Sequence, residues 1–331
     1  MIKLQTPRGL SVNVPETRDE DQSPHFEVHD RRAIAAYYAA NGYVIVRGVV
    51  PQGDCDRIRL LWEQEVKPDC GFMYRQATAK AERHERNAQG WIMNPILNLQ
   101  SVDPTKFGRF RDFAIGQILT SPQLASVFET LLGESPKIVQ SMYFEGNSAT
   151  WEHQDSYYLD SEDVGRMGAA WIALEDISAT AGRFFVCPES SKIAPEEHGP
   201  ANNIASNHEV YIQSVVSLVR DLGLEIRAPM MEMGDVLFWN SWTIHGSLDS
   251  QDDVHSRSSI TCHAIPASHR FLQLQSRLFD LETSTVNGVQ VYQPKNLAKM
   301  KNRVVFWVES HFPGLFYFIK SMAIKFVVSS K

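Results

Sequence analysis

The spacing of apolar residues in the N-terminal part of the chain is typical of helices joined by one short strand. After Asp30, a residue type that caps helices, apolar side chains recur at helical spacing. The uninterrupted apolar run 43–46 then predicts a buried strand, and helical patterns return over 51–66 and 121–132. We therefore expect a helical N-terminal layer over residues 1–135.

Two stretches of this layer carry neither the helical nor the strand period. Residues 1–28 are rich in acids and turn formers, and we expect them to be irregular. Residues 68–100 are polar, and the pattern leaves two alternatives open. They form either a mobile loop near a functional site or a solvated excursion from the body.

From about residue 136 the pattern changes to short runs of β-branched and aromatic residues separated by Gly, Asn, Asp, Ser and Pro. The runs are 137–144, 167–174, 183–187, 236–239, 259–265 and 271–274. Several short strands with such punctuation predict a sandwich or barrel. We expect a mainly β fold with flanking helices, built as one domain over residues 1–331. Its β core spans 136–275 with an insertion at 193–228, and a helical extension follows at 290–331.

Composition excludes several classes of protein. The chain has 331 residues with a net charge of −7, and it is 43% hydrophobic and 21% charged, which excludes a disordered chain and disfavours a nucleic-acid binder. Four cysteines without a CxxC pair exclude a disulfide scaffold and suit a reducing compartment. We find neither a secretory leader nor an apolar run of eighteen residues, so we expect a cytoplasmic location.

The charge is distributed unevenly, because the C-terminal end is basic. From residue 291 onward seven residues are basic and only Glu309 is acidic. Within this end, the segment 304–328 is apolar, aromatic and basic. It predicts either a helical cap that packs on the barrel or forms a dimer interface, or an element that contacts a membrane surface peripherally. The chain could therefore be a monomer or a homodimer.

Two separate motifs carry candidate metal ligands. His153 and Asp155 are two residues apart, so on an extended chain they point to the same side. His245 follows an apolar strand and stands beside a glycine, and Arg257 opens the next strand twelve residues later. Two histidines and one carboxylate are the facial set of non-haem Fe(II) oxygenases, and an arginine can hold a carboxylate co-substrate with two parallel hydrogen bonds.

These motifs resemble the phytanoyl-CoA hydroxylase family of Fe(II)/2-oxoglutarate-dependent oxygenases. The segments that carry the resemblance are NGYVIVRGVV at 41–50, HQD at 153–155, WIALEDISATAGRFFVCPESSK at 171–192, MGDVLFWNSWTIHGS at 233–247 and SRSSITCHAI at 256–265. The fold implied is a double-stranded β-helix, the jelly-roll core of cupin-like proteins. Related halogenases carry a small residue at the carboxylate position, so Asp155 favours hydroxylation or another oxidation.

The resemblance also implies roles for individual residues. The ligands of Fe(II) would be His153, Asp155 and His245, with 2-oxoglutarate and O₂ as co-substrates. Residues implied at the 2-oxoglutarate pocket are Arg257, which would pair with the distal carboxylate, and Ser259, Trp171 and Gln154. Tyr143, on the predicted strand before the HQD motif, is a further candidate for contact with the co-substrate.

Three residues are candidates for contact with the substrate. Tyr157 lies two residues beyond Asp155, and Glu189 replaces a glycine that the family often has near the site mouth. Arg183 stands where the family usually has an uncharged residue, so it would face an anionic substrate group or remain a solvated strand charge. These departures leave the substrate class open.

The sequence thus predicts a dioxygenase that hydroxylates an unactivated C–H bond of a small or medium-sized organic substrate, releasing succinate and CO₂. The alternatives are desaturation or oxidative rearrangement with the same cofactors, or a jelly-roll binding module without activity. Five other histidines are not spaced along the chain so that they would meet the triad, and we interpret them as surface groups or as core groups with satisfied hydrogen bonds. They are His198, His208, His255, His263 and His269.

Overall fold

The structure is a computed structural model that describes residues 1–146, 149–196 and 204–329. The helices are α1 (Arg31–Asn41), α2 (Gln52–Leu61), α3 (Pro104–Phe113), α4 (Pro122–Leu132), α5 (Ile204–Asp221), α6 (Met300–His311) and α7 (Pro313–Ser329). The strands are β1 (Ile2–Gln5), β2 (Ser11–Val14), β3 (His25–Glu27), β4 (Tyr43–Arg47), β5 (Met73–Tyr74), β6 (Ala81–Glu82), β7 (Ile96–Leu97), β8 (Pro136–Phe144), β9 (Thr150–His153), β10 (Leu159–Ser161), β11 (Gly168–Ala173), β12 (Phe184–Val186), β13 (Val236–Asn240), β14 (His245–Ser247), β15 (Ser259–Pro266), β16 (Phe271–Gln273), β17 (Arg277–Phe279), β18 (Thr283–Val286) and β19 (Val289–Tyr292).

Helix ends follow the capping residues that the sequence provides. Helix α1 ends at Gly42, which takes the left-handed conformation with φ of 79°. Helix α4 begins after Ser121, whose hydroxyl accepts a hydrogen bond from the Leu124 amide. Helix α3 was not predicted, although Asp103 caps it by accepting from the Thr105 amide at 2.9 Å. These caps fix where the N-terminal helices start and stop against the sheet.

A large sheet forms the base of the fold. Its strands run in the order β18-β19-β8-β15-β11-β13-β4-β3, and β7 pairs with β8. Helices α1 to α4 cover one face of this sheet and bury their apolar sides against it. A smaller sheet, β12-β14-β9, faces the other side and encloses an interior lined by aromatic residues. The result is the double-stranded β-helix with flanking helices that the sequence predicted.

The N-terminal lead-in was expected to be irregular, and that expectation was wrong. Strands β1 and β2 form an antiparallel hairpin, and β3 pairs in parallel with β4. The alternation in β2 explains the hairpin, because Val12 and Val14 are buried while Ser11 and Asn13 face outward. The four strand residues are too few to stand out beside the surrounding acids.

The polar stretch 68–100 is not a solvated excursion. It contributes β7 to the large sheet, and the Arg75 guanidinium is buried, donating to the Asn94 carbonyl at 3.0 Å. The Ala81 amide lies 3.3 Å from Glu309 of α6, so the stretch also contacts the C-terminal helices. Residues 68–100 therefore contact both the large sheet and helix α6.

A close approach of two strands in the small sheet depends on Gly246. A Cβ atom at this position would lie 2.6 Å from the Thr150 carbonyl oxygen, 2.9 Å from the Trp151 carbonyl oxygen and 2.6 Å from the Phe185 ring. Two of these neighbours are backbone atoms of β9, which can move only if the strand moves. The glycine therefore lets β14 lie against β9 with His245 opposite His153.

We expect Gly246→Ala to destabilise the protein by roughly 1–3 kcal/mol, because β9 must shift to admit the methyl group. Urea unfolding measures this change. The matched control is Gly53→Ala in α2, where a Cβ meets no atom within 4 Å and alanine favours the helix. A Gly246→Ala protein as stable as the wild type would contradict the packing described for β14.

Candidate metal centre

Three predicted ligands meet at the open end of the small sheet. His153 is the last residue of β9 and His245 the first of β14, and the two are direct cross-strand partners. Asp155 follows on a short 3₁₀ turn, and its Oδ1 lies 3.7 Å from His153 Nε2 and 3.6 Å from His245 Nε2. One donor atom from each of the three residues lies within 4.8 Å of the others. The chain thus offers two imidazole nitrogens and one carboxylate oxygen to a single point.

The backbone fixes the orientation of both imidazoles. His153 Nδ1 lies 2.8 Å from the Trp151 carbonyl, and His245 Nδ1 lies 2.9 Å from the Thr243 carbonyl. A carbonyl only accepts, so both Nδ1 atoms carry the proton and both Nε2 atoms present a lone pair. Burial lowers the pKa of His245 to about 3, which keeps that imidazole neutral.

The Asp155 oxygen that faces away from the two histidine ligands, Oδ2, has its own partners. It accepts a hydrogen bond from Trp239 Nε1 at 2.8 Å, and His263 Nε2 lies 3.3 Å from the same oxygen. Burial alone would raise the pKa of Asp155, but attraction to the surrounding histidines in their protonated form outweighs burial and holds this pKa well below its usual range. The carboxylate is therefore ionised, with Oδ1 left for a metal.

His263 was interpreted as a group unrelated to the triad, and that interpretation was wrong. Its imidazole is buried in the barrel interior beside Asp155. Every second residue from Arg257 into β15 points into the barrel interior. These residues are Arg257, Ser259, Thr261 and His263. Counting this alternation from Arg257 would have found His263, and the same count along β13 finds Trp239. Of the other histidines, His198 lies outside the described residues.

The donor set fits Fe(II). Two neutral imidazole nitrogens and one ionised carboxylate oxygen on one side leave the remaining positions of an octahedral ion for other ligands. Second partners orient all three ligands, as is usual in metal sites. These three residues thus form a binding site suited to Fe(II) or a similar divalent ion.

Arg257 is a buried cation in the same interior. Its side chain lies 5.3 Å from the Phe144 ring and 6.0 Å from the Trp171 ring, and Nη1 donates to the Gly182 carbonyl at 3.0 Å. Its Nε has no hydrogen-bond partner, and no carboxylate of the described residues lies within ion-pair distance. Burial lowers the pKa of Arg257 to about 9, so the guanidinium is still charged at neutral pH. Buried charges in proteins are usually paired, so Arg257 is available to an anionic ligand, and its predicted contact with 2-oxoglutarate stays a prediction.

Two further residues of the predicted co-substrate pocket also face this interior. Trp171 is buried between Arg257 and Phe184, with its ring 5.9 Å from the Phe184 ring. Ser259 points to the same side of β15 as Arg257, and its hydroxyl donates to the Arg257 carbonyl at 3.2 Å. Their contact with 2-oxoglutarate stays a prediction.

Tyr143 does not face the barrel, so its predicted contact with the co-substrate is wrong. It lies opposite Ile260 on the face of the large sheet that the helices cover. Its ring stacks on Trp62 with centroids 4.1 Å apart. Strand β8 alternates, and its inward positions are Met142 and Phe144, which lie opposite Thr261 and Ser259.

Gln154 holds two loops beside the site through its side-chain amide. Its amide nitrogen donates to the Ile193 carbonyl at 2.8 Å and to the Trp242 carbonyl at 2.6 Å. Both amide protons are therefore used by the backbone. The amide nitrogen of Gln154 thus has a structural role, and the predicted place of Gln154 in the co-substrate pocket stays a prediction.

The three candidate substrate contacts lie in different surroundings. Tyr157 stacks on Tyr211 of α5 with ring centroids 3.6 Å apart. Arg183 is buried, so it is not a solvated strand charge. Its guanidinium donates to the Pro15 carbonyl at 2.6 Å and the Ile177 carbonyl at 3.2 Å. Glu189 faces solvent and pairs with Lys192 at 3.0 Å. None of these contacts joins the three residues to the triad.

Comparisons with known proteins agree with this geometry. Residues 38–257 match the family model described as phytanoyl-CoA dioxygenase (PhyH). The chain is 24% identical over 257 residues to the peroxisomal phytanoyl-CoA dioxygenase of Homo sapiens, covering 72% of this chain and 69% of that protein. It is 27% identical over 256 residues to the 1-deoxypentalenic acid 11-beta-hydroxylase of Streptomyces arenae, covering 73% and 83%.

Solved structures show the same fold. EctD from S. alaskensis, with 2-oxoglutarate and 5-hydroxyectoine, matches 88% of this chain and 96% of its own at a TM-score of 0.54 and 16% identity. The α-ketoglutarate-dependent carbocyclase SnoK from nogalamycin biosynthesis matches 72% and 85% at a TM-score of 0.52 and 16% identity.

We expect His263→Phe to weaken Fe(II) binding by about 10- to 100-fold, because Asp155 loses a partner that orients its carboxylate. Anaerobic titration with Fe(II) measures the change, and circular dichroism checks the fold. His255→Phe is the control, since His255 is half exposed and contacts Asp252 on the surface. Equal Fe(II) affinity of the His263→Phe and wild-type proteins would contradict the assigned role.

Proposed function

The chain belongs to the phytanoyl-CoA dioxygenase family of Fe(II)/2-oxoglutarate-dependent oxygenases, and we propose that it hydroxylates an unactivated C–H bond of a small or medium-sized organic substrate. In this reaction 2-oxoglutarate is converted to succinate and CO₂. The proposal goes beyond family membership because it commits to the reaction type and to a free small-molecule substrate.

The observation that carries the proposal is the pairing of an ordered triad with an uncompensated cation in one interior. Burying a guanidinium without a partner costs on the order of several kcal/mol. A binding module with no co-substrate would gain nothing from that cost. The cost is recovered when a dicarboxylate binds, because Arg257 can form two parallel hydrogen bonds with one carboxylate.

The roles of this chain's residues follow from their positions. His153, Asp155 and His245 would hold Fe(II) through two Nε2 atoms and Oδ1, while Arg257 would hold the far carboxylate of 2-oxoglutarate. When bound, the metal and co-substrate supply the O₂-dependent oxidation. The protein orients the co-substrate and excludes water with the buried rings of Trp171 and Trp239.

An aromatic and polar wall beside His153 is the proposed substrate side. Tyr158 lies with its ring 5.8 Å from the His153 ring, and its hydroxyl is 3.0 Å from His208 Nε2. Trp151 is 36% exposed and lies 5.2 Å from the His208 ring. His245 is buried, so substrate would approach from the side of His153. The wall suits a substrate with an apolar body and at least one hydrogen-bonding group.

The alternatives differ in the outcome of the same oxidation. The solved relatives include a carbocyclase and an epimerase, so desaturation or rearrangement with the same cofactors is the second candidate. The Streptomyces arenae relative is a hydroxylase by name and is more similar in sequence, which favours hydroxylation. A binding module without activity is disfavoured, because the donor atoms of His153, Asp155 and His245 lie within 4.8 Å of one another and the buried Arg257 Nε has no partner.

The experiment that tests the proposal is a succinate-release assay over a panel of small organic molecules, with products analysed by mass spectrometry. Hydroxylation predicts a product 16 mass units heavier than the substrate, the mass of one oxygen atom. A product lighter by two hydrogens, or one of unchanged mass, would contradict hydroxylation in favour of the second candidate.

We expect Arg257→Ala to raise the 2-oxoglutarate concentration needed for half-maximal succinate release by about 10- to 100-fold, because a charge-assisted pair is lost. Iron binding should stay nearly unchanged, since Arg257 is not a ligand. Arg270→Ala, which removes a surface arginine paired with Glu162, is the control. An Arg257→Ala enzyme with the wild-type 2-oxoglutarate requirement would show that another group holds the co-substrate.

A further inference from the structure

The two C-terminal helices present an apolar surface that nothing in the described residues covers. Residues 315, 318, 319 and 322 of α7 follow the helical i, i+3, i+4, i+7 spacing, which normally faces a core. Here that stripe faces away from the body, and the apolar tail face continues onto α6. The side chains of this face are 51–60% exposed: Trp307, Phe312, Leu315, Phe318, Ile319 and Met322. Of the roles left open for 304–328, packing on the barrel therefore accounts only for the buried side of the two helices.

Glu309 explains why the apolar side faces outward. It is only 2% exposed, and its carboxylate accepts hydrogen bonds from Tyr74 at 3.1 Å and from Tyr317 at 2.5 Å. Lys295 Nζ lies 3.9 Å from the same carboxylate. Tyr74 belongs to β5 and Tyr317 to α7, so this buried carboxylate fixes both helices to the body in one orientation. The polar side of the tail faces the protein and the apolar side does not.

The exposed charged side chains described on α6 and α7 are basic, and one of them, Arg303, lies 4.0 Å from Asp103 of the body. Glu309 is the only acidic residue from 300 to 331, and it faces inward. Lys301, Arg303 and Lys320 are exposed, and neither Lys301 nor Lys320 has an ion-pair partner in the described part of the chain. Aromatic rings bordered by lysine and arginine are typical of elements that lie in the headgroup region of a bilayer.

We propose that the apolar tail face binds the surface of a membrane that contains anionic lipids. A second copy of the chain fits less well. A two-fold interface would place this face against its own copy, and residues 300–322 offer no exposed carboxylate to pair with the cations at its border. An anionic surface instead pairs with Lys301, Arg303 and Lys320 while the rings enter the acyl boundary. No helix within the described ranges is long and apolar enough to cross a bilayer, and residues 323–328 of the predicted segment lie outside the described side chains.

Vesicle flotation of the full chain tests this inference, and its readout does not depend on the oxygenase reaction. We expect binding to vesicles of phosphatidylcholine with 30 mol% phosphatidylglycerol, weakened at high salt and at least about tenfold stronger than binding to pure phosphatidylcholine. Lys301→Gln/Arg303→Gln/Lys320→Gln should weaken binding to the anionic vesicles by about 10- to 100-fold, since each cation near such a surface contributes about 1 kcal/mol.

The apolar contribution is tested by Trp307→Ser/Phe318→Ser/Ile319→Ser, which should abolish flotation while circular dichroism remains unchanged. The matched control, Val164→Ser/Val254→Ser/Leu278→Ser, removes three exposed apolar residues elsewhere and should bind as the wild type does. Wild-type protein that binds neither vesicle overturns the proposal. So does a wild-type dimer that the first triple variant converts to a monomer, without vesicle binding, because the face would then be a subunit interface.

Discussion

The site depends on one cross-strand pairing, that of β9 with β14. His153 and His245 are direct partners in this pair, so their register alone brings two imidazoles together. Gly246 permits the close approach, and the Trp151 carbonyl that limits it also accepts the hydrogen bond from His153 Nδ1. The same backbone atom therefore sets both the spacing of the strands and the tautomer of a ligand. Backbone pairing thus positions two of the three ligands, and the third, Asp155, lies on the 3₁₀ turn two residues after His153.

The second constraint is electrostatic. Asp155 is an ionised carboxylate in a buried site, and it is held by Trp239 and lies beside His263. Arg257 is a buried cation whose counter-ion is not part of the chain. Burial strengthens the electrostatic interactions of such groups, and it also raises the free-energy cost of leaving a charged group without its partner. Both groups therefore gain favourable interactions when an ion and a dicarboxylate bind.

Sequence predicted the fold class and the triad because both depend on local signals. HxD and a histidine beside glycine are short motifs, and the flanking strands have clear punctuation. Tyr143 was placed wrongly because the direction of a side chain in β8 depends on its register with β15, which one sequence does not reveal. His263 is a different case, because the sequence does contain the signal. It lies six residues after Arg257, so on an extended strand both side chains point to the same side. The roles of Gln154 and Arg183 depend on backbone carbonyls far away in the chain, which no spacing could indicate.

The central claim is that the triad and Arg257 together bind Fe(II) and 2-oxoglutarate in one site. The most direct measurement is the visible absorption of the protein mixed anaerobically with Fe(II) and 2-oxoglutarate. Chelation of the metal by 2-oxoglutarate produces a weak charge-transfer band, and the account predicts this band for the wild type and its loss on replacing His245 with alanine. A folded wild-type protein that binds iron but shows no band when 2-oxoglutarate is added would contradict the account.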